Sequence, residues 1–192
     1  MLSVNKISGI ENNYNNRNKI SFQSKFVPNE ALKDAFYIAR NSVMFTTHRN
    51  VEDGRTFARI IDHLLNDGKN DLIKVTRSEK GSTLMINGKR VNFYPREHKY
   101  PGFVDGERVI NNIINYFAEK TEIVETYKLT RDEFKAIKPA VDKLNAEVNA
   151  DDVTKNPQIF YNLEENMQNI NVALHKHTAE LLDKLEAKIF NK

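Results

Sequence analysis

The run DLIKVTRSEKGSTLMINGKRVNFYP, residues 71–95, decides the fold of this chain. Asn87-Gly88 tolerates positive φ at both positions, which a two-residue hairpin turn demands. That turn fixes a register in which Met85 faces Arg90, Leu84 faces Val91 and Thr83 faces Asn92. Ile73, Val75, Leu84, Val91 and Phe93 then share a buried face. Lys74, Thr76, Thr83, Met85, Arg90, Asn92 and Tyr94 share the other. A slip of one residue would mix the two sets, so the pattern specifies its own pairing. Residues 71–78 and 82–95 therefore read as three strands of an antiparallel meander.

Outward from this segment the period becomes helical. Upstream, Phe57, Ile60, Ile61, Leu64 and Leu65 form a stripe on a helix expected from about Val51, with Asn50 or Asp53 at its start and Gly68 at its end. Before it, Pro28-Asn29 opens a helix whose Leu32, Ala35, Phe36, Ala39 and Val43 fall on one face. Ile20 to Phe26 reads as a short edge strand or an extended segment packed on the domain. Residues 1–18 form an Asn-rich leader too poor in apolar surface to offset the entropy of ordering.

Downstream, Pro95 ends the sheet, residues 96–103 read as a loop, and Asp105 is expected to cap a helix. Val109, Ile110, Ile113, Ile114 and Phe117 give that helix its apolar stripe. Thr130 and Glu133 match a capping box. After it Phe134, Ile137, Val141, Leu144 and Val148 step by three and four, with Pro139 expected to kink the helix. Asn156-Pro157 starts a last helix, with Asn at the N-cap and Pro following. Its Phe160, Leu163, Met167, Ile170, Leu174, His177 and Leu181 step likewise, and it is long enough to reach Phe190. The two last helices predict an antiparallel helical hairpin whose first arm is much the shorter.

The fold class expected is thus α+β and helix-rich, a three-stranded antiparallel β-meander flanked by amphipathic helices with a C-terminal helical hairpin. The domain reading is a leader at 1–18, an α+β domain at 19–125 and the hairpin at 126–192, packed on the domain or extending from it.

Composition narrows function mainly by exclusion. A chain that is 40% hydrophobic and 29% charged is globular rather than disordered. It has no Cys, which removes disulfides, thiolate metal ligands and cysteine nucleophiles. No apolar run approaches the ~20 residues of a membrane span, and Met1 to Ile10 lacks an apolar signal core. The expectation is a cytoplasmic protein that engages no membrane. Its charge is uneven. Residues 69–100 carry eight Lys/Arg against three Asp/Glu, whereas residues 119–192 carry eleven against fourteen.

The basic segment supplies the candidate site. Lys74, Arg77, Lys89, Arg90, Arg96 and Lys99, with Met85, Tyr94 and Tyr100 among them, combine cations that neutralise anions with rings that stack or pack. The plainer reading is a solvated sheet face kept soluble by its charges. The loop at 94–103 is a second surface, unless its aromatic residues fold back onto the sheet. The long C-terminal stripe is a third. It can meet a partner or a second copy of the chain, or simply pack within a bundle.

Catalysis has thinner support. His48, Asp53 and Arg55 gather between two helices and invite an acid–base reading, though helix capping and surface charge are the plainer account of them. His175 and His177 are two apart on a helix and point apart, so they make no metal pair. Gly68-Lys69 and Gly88-Lys89 lack the spacing of a phosphate loop. No cofactor or metal is expected. The leading expectation is a non-catalytic protein that recognises a macromolecular partner, a protein first and nucleic acid second.

Overall fold

In the computed structural model Asn87 and Gly88 both adopt positive φ, 51° and 77°. The hairpin turn demanded by the sequence is therefore made. The structure describes residues 24–45, 48–66, 69–78, 81–91, 101–121, 129–150 and 158–191. In chain order these form β1 (Lys25–Phe26), α1 (Glu30–Phe45), α2 (His48–Asn66), β2 (Leu72–Ser78), β3 (Gly81–Ile86), β4 (Lys89–Val91), α3 (Pro101–Thr121), α4 (Arg131–Ala150) and α5 (Gln158–Phe190). The fold is α+β, with five helices and one sheet among the described residues. None of these helices is long and apolar enough to cross a membrane.

The sheet corrects the expected meander. It has four strands in the order β1-β2-β3-β4, and β1 runs parallel to β2 while the other pairs are antiparallel. Two residues are too few to show a period, and a parallel partner reaches β2 only through the intervening α1 and α2. Backbone bonds from Lys25 N to Asp71 O and from Val27 N to Ile73 O, both 2.8 Å, hold the added strand. Two pairs of the predicted hairpin register are found, Leu84 with Val91 and Met85 with Arg90, while Asn92, the expected partner of Thr83, lies outside the described residues. Asn87 pins the register further. Its side chain accepts from Leu72 N at 2.8 Å and donates to Asp71 at 2.8 Å.

One face of the sheet carries the core. Ile73, Val75, Leu84 and Ile86 are buried, in one cluster with Leu32, Ala35, Phe36 and Ala39 of α1, Phe57, Ile60, Ile61, Leu64 and Leu65 of α2, and Val109, Ile110, Ile113 and Phe117 of α3. Phe36 meets Phe57 edge to face at 5.3 Å. Asn29 ties the helical layer to the strands. Its Oδ1 caps α1 by accepting from Leu32 N at 3.0 Å, while its Nδ2 donates to Val75 O. Gly106 lets α3 approach α1 closely, since a Cβ there would clash with Ile38 Cδ1.

Helix starts depart from expectation at two places. α2 begins at His48, so Asn50 and Asp53 lie inside it rather than capping it. α3 begins at Pro101, so Asp105 is likewise internal. Proline suits a first helical position because its missing N–H has no partner to lose there.

α5 spans 33 residues, or about 50 Å. Its second half joins the core through Leu182, Leu185 and Ile189. Its first half packs along α4. Among the described side chains of α5 the buried ones are Asn166, Leu174, Thr178, Leu182, Leu185 and Ile189. The expected stripe is therefore corrected: Met167 is 60% exposed, and Thr178 rather than His177 takes the buried position. The reason is a change of support along one helix, from α4 to α1 and α2, which rotates the covered face.

Phe134, expected on the buried stripe of α4, is exposed. Thr130 is the N-cap, so Leu129 and Phe134 occupy the N′ and N4 positions of a hydrophobic staple. That arrangement accounts for both exposed apolar residues at this helix start. Pro139 lies inside α4, which continues to Ala150.

Candidate interaction surface

Period two sends Leu72, Lys74 and Thr76 of β2 to the face opposite the core. Pairing then aligns residues across strands. Lys74 is opposite Met85, and Met85 is opposite Arg90, which makes one continuous row. Thr76 pairs with Thr83 in the adjoining row. On the other side Lys25 pairs with Leu72. Lys25, Lys74 and Arg90 are exposed, Leu72 is 46% exposed, and Met85 is half-buried. Among the described residues this face holds three cations and no carboxylate, and none of the three forms an ion pair.

The remaining candidates of the basic segment divide. Arg77 has the parity of Ile73 and Val75, and it ion-pairs with Asp34 of α1 at the edge of the helical layer. Lys89 is exposed beside the turn at the start of β4. Tyr94, Arg96, Lys99 and Tyr100 lie outside the described residues.

Arg55 stands in a different setting from the surface charge expected of it. It is 7% exposed and donates to both carboxylate oxygens of Glu133, at 3.2 and 3.1 Å. Arg59, one turn further along α2, donates to the same two oxygens. Glu133 also accepts from Thr130 N at 2.8 Å, while its own N–H donates to Thr130 Oγ1 at 3.2 Å. The expected capping box is thus formed, and its carboxylate doubles as the anchor of α4 on α2. Burial alone would raise the pKa of Glu133. The Arg55 and Arg59 hydrogen bonds, then the Thr130 N–H and the Arg55 charge, outweigh it and hold the pKa at about 2.

Asp53 is half-buried within α2, and the side chain of His48 lies outside the described residues. Arg55 is committed to Glu133. Among the described residues no three His, Asp or Glu side chains are grouped to hold a metal ion. Sequence reasoning missed Lys25 and Leu72 as members of the open face, because β1 carries no period of its own. It also missed Arg59, whose spacing of four from Arg55 on one helix was the available signal.

Comparison with known protein families, with curated proteins and with solved structures finds no match to this chain.

Proposed function

We propose that this chain is a non-catalytic binding protein that engages a macromolecular partner through the open face of its sheet. The observation that carries the reading is the row Lys74–Met85–Arg90, unpaired in charge and set on a face opposite the core. A sheet packed on helices holds such a row rigidly, so binding there costs little ordering entropy. Lysine and arginine stems also add apolar surface beneath their charges. The same reading takes α4 and the first half of α5 as an antiparallel hairpin extending from the body, supported by the bond from Asn166 to Glu147 across them. That arm is the secondary surface, for a protein partner or a second copy.

A photo-crosslinking side chain at Met85 tests the proposal in the native host, with the same group at exposed Lys138 of α4 as control. A discrete macromolecular adduct is expected from Met85, weakened by Lys74→Glu with Arg90→Glu. Equal, diffuse labelling from both positions would remove the sheet face as the binding surface.

A further inference from the structure

We infer that the occupant of the open sheet face is an acidic polypeptide segment that places an apolar side chain between its carboxylates. This rests on the reading of that face as the interaction surface, and it names the partner chemistry.

The charges set the first requirement. Several cations elsewhere are satisfied internally: Arg40 with Asp183 and Glu186, Arg55 and Arg59 with Glu133, Arg77 with Asp34, Lys138 with Asp142. Among the described residues Lys25, Lys74 and Arg90 have no such partner, and they share one face with no carboxylate on it. A complementary ligand is therefore anionic.

The residues between the cations separate polypeptide from nucleic acid. Leu72 pairs with Lys25, and Met85 lies diagonally across from Leu72, one strand over and beside Lys74. Diagonal neighbours on one sheet face are within mutual reach. The result is a small apolar strip ringed by three positive charges. Among the described residues the face presents no aromatic ring. Single-stranded nucleic acid draws about 1–3 kcal/mol per base from stacking on such rings, a contribution that none of the described residues of this face supplies. Leu72 and Met85 instead gain from an apolar partner that covers them, and methionine adapts to its shape.

Spacing completes the match. Lys74 and Arg90 are two strands apart, about 10 Å by ordinary strand spacing. On an extended segment only alternate side chains face the sheet, so two carboxylates that flank one apolar side chain on that face are four residues apart, about 13 Å, within reach of the long Lys74 and Arg90 side chains. An apolar residue between them would then sit over Met85.

The test is fluorescence anisotropy on the full chain with three labelled probes: an acidic peptide of Asp, Glu and Leu, the same peptide with every Leu replaced by Ser, and an oligothymidylate of matched charge. The Leu-containing peptide is expected to bind most tightly and to weaken with added salt. Lys74→Glu with Arg90→Glu should weaken it at least about tenfold. Leu72→Gln, at a position already open to solvent, should weaken it without unfolding the chain, as circular dichroism would verify. Oligothymidylate binding as tightly as the peptide would overturn the inference in favour of nucleic acid. Equal binding of the Ser-substituted peptide would overturn its apolar element. Failure of all three probes, while the Met85 crosslink still forms, would overturn the partner chemistry and leave the surface standing. Failure of both would remove both proposals.

Discussion

Two groups of cations in this molecule look alike in sequence and differ in everything physical. Arg55 and Arg59 lie one turn apart on α2 and converge on a single buried carboxylate. Lys74 and Arg90 lie on β2 and β4, one on either side of β3, and among the described residues neither forms an ion pair. The first group has left water and needs Glu133 to offset its desolvation. The second keeps its hydration. The difference teaches that a cation's role follows from its solvent and its partner, not from local charge density.

The largest expected effect comes from breaking the first group. Glu133→Ala leaves two guanidinium groups without their carboxylate, and it also removes the capping box. A loss of about 3–5 kcal/mol is expected, read from the urea midpoint. Glu133→Gln keeps an acceptor for the Thr130 N–H and should cost less. Equal losses for the two variants would mean that the cap, not the charge, anchors α4. A loss below about 1 kcal/mol for Glu133→Ala would place the cluster with ordinary surface pairs and erase the contrast.

Acid titration sharpens the same contrast on the unaltered chain. Glu133 is held at about 2 when folded, against 4.5 as its ordinary value. A carboxylate with a lowered pKa stabilises the fold fully above its unfolded value and loses that contribution as pH falls through the folded one. The window is therefore from about 4.5 down to about 2, and the difference corresponds to about 3 kcal/mol. In the Glu133→Gln variant, stability should fall less across that window. Parallel curves for the two proteins would show that Glu133 is not the group being titrated.

How far the sequence displays these features depends on how local their causes are. The capping box is legible because Thr130 and Glu133 are three residues apart and satisfy each other. The second role of Glu133 is not, because Arg55 lies 78 residues away and no pattern links them. The open face is legible wherever the Asn87-Gly88 turn dictates it, which gives Lys74, Met85 and Arg90 their row. It fades at β1, where two residues borrow their conformation from β2. Arg77 shows the reverse error. Density along the chain pools it with Lys74, whereas a period of two separates them. In α5 the apolar stripe follows one helix past two different supports, so no single period describes Met167 and Thr178 together.

The smallest expected effect belongs to the second group. Lys74→Glu and Arg90→Glu should each change stability by no more than about 0.5 kcal/mol, as exposed substitutions away from caps and cores do. Among the described residues their side chains form no ion pair that reversal would break. Their mutual repulsion is also slight. Two strand spacings put them about 10 Å apart, close to the screening length at moderate salt. Relieving that repulsion gains little, and recreating it with two carboxylates costs little. Stability measured by urea should therefore stay level in the double variant while partner capture falls. A stability loss matching that of Glu133→Ala would show that these cations help hold the sheet. The open face would then be part of the scaffold, and the two groups would differ in solvent alone.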